Sequence, residues 1–438
     1  MTLEIVLSLP ITTWQMNYHK LIIKTLLLLI VIIPSAFSQS KILIFMDLRQ
    51  TDHLKVYGVT FHALTKGSKA VWLLNYRGGS FMIDYSDNVA VECRVEGVAF
   101  ETITSSQAAE IYSLVQSEDN NMDVVRLEKA PKIAVYVPPG FQPWDDAVTL
   151  ALEYAKVPYD KIWNDEILRG DLSKYDWLHL HHEDFTGQYG KFYASFANAQ
   201  WYIDQQIQYE NNAKKNGFKK VSGMMKAISL TIKNFIAQGG FLFAMCSATD
   251  SYDISLSAMN VDICAEMYDG DAADPKAQDK LDFTNSLAFQ NFKLENNPYV
   301  YEYSDIDIQP LEIGNFENDY FTLFDFSAKY DPVPTMLTQN HANVIKGFMG
   351  QTTMFRRELI KPSVINLAER QGTDQVKYIH GNFGRGTFTF YGGHDPEDYQ
   401  HAVGDPPTEL ALYKNSPGYR LILNNVLFPA ATKKKQKT

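Results

Sequence analysis

The clearest hydrophobic pattern in this chain is a helical repeat that leads into a short apolar stretch. Apolar residues recur every three or four positions from Val221 to Ile236, which predicts a helix that ends at Gly239 and Gly240. Residues Phe241 to Met245 are apolar without interruption, as in a strand that is buried on both faces. The pattern therefore predicts a central parallel strand with Cys246 just past its carboxyl end, where such sheets bind ligands.

Small residues lie two positions on either side of Cys246, at Ala244 and Ala248. This spacing is typical of a sharp strand-to-helix elbow, because bulky flanking side chains would collide there. An elbow of this kind presents a nucleophile at the edge of the sheet. We therefore expect Cys246 to be a reactive thiol whose pKa is lowered by a neighbouring imidazolium and by the helix dipole.

Strands and helices alternate along much of the remaining chain. The sequence predicts a βαβ unit that consists of the strand KILIFMD, a helix at about 53–65 and the strand KAVWLLNY. This unit belongs to a small N-terminal α/β domain, residues 39–129. A second series begins at KIAVYV and defines a domain over residues 131–430. The alternation predicts a doubly wound, mainly parallel sheet of the flavodoxin-like kind.

Two segments depart from this alternation. Residues 260–335 contain an acidic loop and alternating stretches such as YVYEYSDIDI, which predict a β-rich insertion. Farther on, VKYIH and TFTFYGG flank the turn GNFGRG, which predicts a hairpin with His394 following its second strand.

Composition narrows the classes of function. The chain has 438 residues, of which 45% are hydrophobic and 21% charged, as in ordinary globular proteins. A net charge of −11 and a pI near 5.4 argue against a nucleic-acid partner, because phosphate binding needs a basic surface. We expect a small-molecule substrate instead. The basic run at residues 431–438 is interpreted as a solvated tail.

The first 38 residues predict a secretory signal peptide. Basic residues near Lys20 and Lys24 precede an apolar run from Thr25 to Ile33 and a small-residue cleavage pattern that ends at Ser38. We interpret residues 1–15 as an over-extended start, ahead of the true start of translation. The apolar run is too short for a permanent membrane anchor, so the sequence predicts a periplasmic or secreted protein.

The segment HDPED offers the partners that a thiol nucleophile needs. His394 would take the proton of Cys246, and Glu397 would orient the imidazole, with Asp395 and Asp398 as competitors for that role. The sequence thus predicts the catalytic set Cys246, His394 and Glu397.

A second polar cluster occupies DWLHLHHEDFTGQYG, residues 176–190. Its glycines allow backbone amides to face a ligand, so Gly187 is a candidate for an oxyanion hole. Ser247, which follows Cys246, is the other candidate. Candidate substrate contacts are His181, His182, Glu183 and Asp250. The same side chains support an alternative, because imidazoles and carboxylates bind zinc or iron. That alternative divalent-metal set is His179, His181, His182, Glu183 and His394, which Asp395 and His401 could complete.

The segments GGFLFAMCSATDS and GRGTFTFYGGHDPED together resemble the class I glutamine amidotransferase-like superfamily over roughly residues 131–430. The ThuA-like branch is the most similar, because it shares the SATDS and GHDPE motifs. The resemblance implies that the amidotransferase triad corresponds to Cys246, His394 and Glu397. Two residues separate His394 from Glu397 here, where the amidotransferases have one.

The whole chain also resembles an exported bacterial family that is often labelled asparagine synthetase B. The sequence argues against that chemistry, because it has neither a cysteine at the predicted mature N-terminus nor an SGGxDS-type loop. Three hypotheses follow: a cysteine-dependent amide or acyl hydrolase without a cofactor, a metal-dependent or carbohydrate-processing protein, and a noncatalytic ligand-binding module.

Overall fold

A computed structural model describes residues 40–140, 146–308, 319–337, 342–400 and 404–432. The predicted signal peptide, the lysines of the basic tail and His401 lie outside these residues. Among the described helices, none combines the length and the apolar character that crossing a bilayer requires.

The first sheet is antiparallel throughout and has the strand order β4-β1-β3-β2-β5. The strands are β1 (Lys41–Ile44), β2 (Ala70–Leu74), β3 (Ser80–Asp84), β4 (Glu101–Ile103) and β5 (Asp123–Leu127), and the helices among them are α1 (His53–Thr65), α2 (Asp87–Glu96) and α3 (Ser105–Gln116). The predicted unit of β1, α1 and β2 is present, but β3 lies between its two strands. The N-terminal region is therefore α/β, as expected, with a split βαβ arrangement.

The second sheet has ten strands among the described residues. Its order is β11-β10-β13-β14-β15-β9-β8-β6-β7, and β12 pairs with β14. The strands are β6 (Ile133–Tyr136), β7 (Asp160–Ile162), β8 (Trp177–Leu180), β9 (Phe241–Met245), β10 (Tyr320–Leu323), β11 (Val344–Lys346), β12 (Phe355–Arg356), β13 (Ile365–Glu369), β14 (Gln375–Phe383) and β15 (Gly386–Tyr391).

Helices pack against this sheet and connect its parallel strands. They are α4 (Ala147–Tyr154), α5 (Asn164–Leu168), α6 (Tyr193–Phe196), α7 (Gln200–Lys215), α8 (Val221–Ala237), α9 (Ala248–Ser257), α10 (Glu266–Asp269) and α11 (Pro417–Leu427). The predicted helix at 221–236 is confirmed as α8, and its apolar face is buried.

The expectation of a mainly parallel sheet holds for one half only. Strands β7, β6, β8, β9 and β15 are parallel neighbours, whereas β15, β14, β13, β10 and β11 pair antiparallel. The change occurs at the predicted hairpin of β14 and β15, because a tight turn joins only antiparallel strands. The fold is therefore α/β with a mixed sheet.

Residues 260–335 do not form a separate β-rich lobe among the described residues. Their one regular strand, β10, extends the main sheet, and turns and isolated bridges occupy most of the rest. The alternating pattern has another origin, since Ile306 and Ile308 are buried from irregular backbone. The expected insertion is thus corrected to a set of packed loops.

The C-terminal helix joins the two sheets into one core. Helix α11 contacts α1 and α4, and one apolar cluster contains residues from all three helices. The hydroxyl of Tyr57 on α1 donates a hydrogen bond to the side chain of Asn424 on α11 (2.6 Å). This packing fixes the N-terminal sheet against the domain that carries the candidate site.

Candidate functional site

Three chain segments meet at the carboxyl edge of the parallel strands. Strands β8, β9 and β15 are adjacent and parallel, so the residues that follow them emerge together. The N–H of Cys246 donates to the carbonyl of Gly393 (3.1 Å), and the N–H of Ala248 donates to that of His181 (3.0 Å). Backbone hydrogen bonds therefore join the elbow to both histidine-bearing segments.

Three imidazoles converge at this edge. The rings of His181 and His394 are nearly perpendicular, with centroids 4.4 Å apart, and those of His182 and His394 are stacked at 5.9 Å. One nitrogen of each ring lies within 4.8 Å of the others. His181 and His394 are buried, whereas His182 is exposed. We call these three residues the histidine trio; they could hold a metal ion that remains open to solvent on one side.

A buried carboxylate lies behind the trio. Asp146 Oδ1 is 3.3 Å from His181 Nδ1, and the same carboxylate caps α4 by accepting the N–H groups of Val148 and Thr149. Burial alone would raise the pKa of Asp146, but the neighbouring His179 and these hydrogen bonds hold it below its usual value. Carboxylates in this position orient metal-binding histidines.

His179 belongs to the layer behind the trio. Its Nδ1 lies 3.1 Å from the carbonyl of Phe243, and its Nε2 lies 3.1 Å and 3.2 Å from the two carboxylate oxygens of Asp146. Asp146, His179 and His181 each place one ligand atom within 4.8 Å of the others, so these buried side chains are a second group that could hold a metal ion. His179 therefore lies behind the trio, beside Asp146, and stays in the predicted set of metal ligands.

The carboxylate of Glu183 is hydrogen-bonded to the backbone. It accepts the N–H of His181 (2.9 Å), and burial raises its pKa. Glu183 thus fixes the turn that presents His181 and His182. The structure assigns it a positioning role in place of the predicted ligand role.

The elbow at Cys246 has the predicted strained backbone. Cys246 has φ = 49°, in the left-handed region that non-glycine residues rarely adopt. Amides of Gln351, Thr352 and Ser247 face the sulfur and favour the thiolate, but burial outweighs them and raises the pKa of Cys246 to about 11. The expected lowering of the thiol pKa is wrong, because the side chain is only 2% exposed.

The predicted orienting carboxylates bond elsewhere. Glu397 Oε2 accepts the hydroxyl of Tyr399 (3.0 Å) and also bonds Ser416. It lines a surface cleft of about 410 Å³ together with Thr51 of the N-terminal region. Asp395 accepts the N–H of Glu397 (2.8 Å). These contacts direct Glu397 toward the cleft and assign Asp395 to the local turn.

The two predicted oxyanion residues have different surroundings. Gly187 has φ = 88°, and a Cβ there would lie 2.7 Å from the Cα of Ser222, so it packs against the start of α8. The amides that approach the thiol come from Ser247, Gln351 and Thr352. The last two residues were not predicted, although the glycines of GFMGQTT mark a close approach of backbone.

The segment Phe348–Thr353, which we call the support loop, holds the third histidine in place. Its Met349 carbonyl accepts the N–H of His394 (2.7 Å), and its Thr352 carbonyl accepts that of Gly393 (2.7 Å). Buried Lys377 donates to the carbonyls of Phe348 (2.5 Å) and Thr353 (2.9 Å), at the two ends of the loop. Burial lowers the pKa of Lys377 to about 7.

Asp250 connects the support loop to the elbow helix. Its Oδ1 accepts the hydroxyl of Thr352 (2.9 Å) and the N–H of Ser251 (2.8 Å). The side chain is 1% exposed, and burial raises its pKa to about 7. The predicted substrate contact thus lies beside Cys246, at the start of α9.

The solved structures that match this chain do so at low sequence identity and low TM-score. No family model and no curated protein matches the chain. Two cytoplasmic proteins of Salmonella typhimurium, STM1381 and STM3548, have TM-scores of 0.35 and 0.33 at 12% and 10% identity; each alignment covers 69% of this chain and 100% of the other. A β-galactosidase from Bacillus circulans sp. alkalophilus has a TM-score of 0.24 at 12% identity, covering 61% of this chain and 29% of the enzyme.

Proposed function

We propose that the protein is a metal-dependent hydrolase whose ion is bound by His181, His182 and His394. The observation that carries this proposal is the convergence of three imidazole nitrogens within 4.8 Å at the carboxyl edge of the sheet. Three histidines with an open fourth position are typical of catalytic zinc. The exposed side at His182 leaves room for water and for a small-molecule substrate.

The surroundings of the trio favour this chemistry. Asp146 lies 3.3 Å from His181 Nδ1, which leaves His181 Nε2 as the nitrogen for a metal. A bound zinc ion would supply a water that is acidic enough to act as a nucleophile at neutral pH. The chain's own contribution is to orient the rings through Asp146 and the support loop.

The proposal extends to the fold and to the location of the protein. We propose that strands β7, β6, β8, β9 and β15 with their flanking helices form a doubly wound core of the amidotransferase-like kind. We also propose that the protein is exported, since the signal-peptide pattern precedes the described residues. Both statements rest on the sequence motifs and on the parallel half of the sheet.

The experiment is a metal analysis of protein that is purified without chelator. We expect close to one zinc or iron ion per chain, loss of that ion in His394→Ala, and its retention in His62→Ala. His62 is a suitable control because it lies on α1, bonded to Glu92. Hydrolysis of a panel of esters and amides should follow metal content. A wild-type protein that takes up no ion when zinc is added would rule the proposal out.

A second candidate is thiol-dependent acyl transfer at Cys246. The specific observation in its favour is the left-handed backbone of Cys246 combined with three amides that face the sulfur. In this mechanism the thiolate would attack an acyl carbon and expel the amine or alcohol, and water would then release the acid and restore the thiol. His394 would take the thiol proton, and Asp250 is linked to the site through Thr352, whose amide faces the sulfur.

Cys246→Ser separates the two candidates. A metal-dependent enzyme should keep most of its activity and all of its metal, whereas a thiol enzyme should lose activity with its metal content unchanged. A chelator should abolish the activity of a metal-dependent enzyme and leave a thiol enzyme active. The two measurements together therefore assign the reaction.

A further inference from the structure

The group of ligand atoms behind the histidine trio is compact and closed to solvent. Asp146, His179 and His181 are 3%, 0% and 0% exposed. Asp146 Oδ2 lies 3.1 Å from His179 Nε2, and Asp146 Oδ1 lies 3.3 Å from His181 Nδ1. Two donor atoms that each bind a tetrahedral zinc ion at about 2.0–2.2 Å are roughly 3.3 Å apart. These side chains are therefore already spaced as the donors of one ion.

The ring of His179 is oriented as in a metal-binding histidine. Its Nδ1 lies 3.1 Å from the carbonyl of Phe243, which can only accept, so Nδ1 carries the proton and Nε2 directs a lone pair toward Asp146. Histidines that bind metals usually donate their other ring N–H in this way. The rings of Trp177 and Phe243 stack on the imidazole, with centroids 5.9 Å and 5.8 Å away, and fix its plane.

The carboxylate of Asp146 approaches His179 with both of its oxygens. They lie 3.2 Å and 3.1 Å from Nε2. A proton on Nε2 would favour a line to one oxygen, because hydrogen bonds prefer N–H···O angles above about 150°. A cation on the bisector of the carboxylate accounts for the two nearly equal distances. Together with His181 Nδ1, this arrangement supplies four donor atoms.

We propose that Asp146, His179 and His181 form a second metal site, and that the imidazole of His181 bridges its ion to the ion of the trio. His181 would offer Nδ1 to the buried ion and Nε2 to the trio. Two metal–nitrogen bonds of about 2.0–2.1 Å and the width of the ring place the ions about 6 Å apart.

The charges of the buried site balance. Binding of the second ion displaces the Nδ1 proton of His181 to solvent, which makes this ring an imidazolate. The imidazolate and the carboxylate of Asp146 together offset the two charges of a divalent cation, as a buried ion requires.

The two ions have different tasks. The buried site has four protein donors and no open position, which is typical of structural zinc, whereas the trio keeps an open side at His182. The trio therefore holds the ion that is found on purification, and the buried site fills on equilibration with excess zinc. The bridge rests on the proposed function, because it needs an ion in the trio. Binding of the buried ion by itself does not.

The test is the zinc content of the full chain after dialysis from chelator into excess zinc and removal of unbound zinc. We expect two ions per chain in the wild type, one in His179→Gln, one in His394→Ala and none in His181→Ala. Circular dichroism checks that each variant is folded.

Two further variants make the result independent of a single substitution. Asp146→Asn should also bind one ion, and asparagine keeps the N-cap of α4 if His179→Gln fails to fold. His380→Gln is the matched control, because His380 is a wholly buried histidine of the same sheet whose Nδ1 lies 2.8 Å from Thr389 Oγ1. It should keep both ions.

Copper(II) detects the bridge directly. Two copper(II) ions that share an imidazolate couple magnetically, so the EPR signal per copper should be much weaker in the wild type than in His179→Gln or His394→Ala. Each of these variants would hold one isolated copper. A role of His179 in folding alone would not produce this difference.

The outcomes separate the inference from the proposed function. A single ion that is lost in His394→Ala and kept in His179→Gln would overturn the inference and support the proposed function; the buried group would then be a hydrogen-bonded triad only. A single ion that is lost in His179→Gln and kept in His394→Ala would support the buried site and reject the proposed function. Two ions with an uncoupled EPR signal would overturn the bridge.

Discussion

The Nδ1 of His181 lies 3.3 Å from Oδ1 of Asp146, and that carboxylate also forms the N-cap of α4. One side chain therefore orients a candidate metal ligand and starts a helix. Because asparagine can also cap a helix, the two roles can be separated by a single substitution.

Asp146→Asn should weaken zinc binding by about 10–100-fold while the helix cap survives, since a neutral amide orients the imidazole less firmly than a carboxylate. Competition with a chromophoric zinc chelator measures the affinity. The matched control is Asp52→Asn, because Asp52 is also a buried N-cap carboxylate, on α1. Equal losses in the two variants would show that the effect is one of general stability.

Gly393→Ala should destabilise the protein and release the metal. Gly393 has φ = 93°, and a Cβ there would lie 2.5 Å from the Phe348 ring and 2.7 Å from Lys377 Nζ. Gly404 is the control, because its φ is 97° and a Cβ would have no neighbour within 4 Å. Both variants incur about 1–2 kcal/mol of backbone strain. The clash should cost Gly393→Ala about 1–3 kcal/mol more. Urea titrations measure the difference, and equal losses would contradict the described packing.

Cys246 should resist alkylation in the folded protein. With a pKa of about 11, very little thiolate is present at pH 7–8, and the side chain is buried. The other two thiols are buried as well, and the pKa of Cys93 is raised to about 12. We expect mass spectrometry to find little label from iodoacetamide until the protein is unfolded. Fast, selective labelling of Cys246 at pH 7 would favour the thiol mechanism instead.

Lys377 should make stability depend on pH. Its pKa falls from 10.5 to about 7 on folding, so between these values the unfolded chain binds more protons than the native protein. The free energy of unfolding of the wild type, relative to Lys377→Met, should therefore rise from pH 7 to about 10, by at most about 1.4 kcal/mol per pH unit. Below pH 7 the difference should be flat. Urea titrations in chelator measure it, and a difference that stays flat from pH 7 to 10 would contradict the prediction.

The sequence predicted the elements that surround the site, because their signals are local. The periodicity of 221–236 and the apolar run at 241–245 gave α8 and β9, and the glycine turn gave the hairpin of β14 and β15. The rule that ligands bind at the carboxyl ends of parallel strands then brought His181, His182 and His394 into one candidate set.

The predictions that were wrong concern features that depend on long-range packing. The carboxylate behind His181 comes from Asp146, 35 positions upstream, and a capping aspartate has no local pattern that distinguishes it from any other. Whether the pKa of Cys246 is raised or lowered depends on how completely the folded chain covers the sulfur. The antiparallel half of the sheet forms because β10 pairs with strands that are distant in the sequence. The alternation of strands and helices along the chain does not show whether two strands pair parallel or antiparallel.

The placement of α11 has a consequence for biosynthesis. Tyr57 and its partner Asn424 are 367 positions apart, and Leu127 pairs with Ala431. A nascent chain that lacks residues 424–431 cannot form these contacts, so the apolar surfaces of α1 and α4 that α11 covers stay exposed. Contacts of such long range form slowly, and until they form these apolar surfaces are open to aggregation or to chaperone binding.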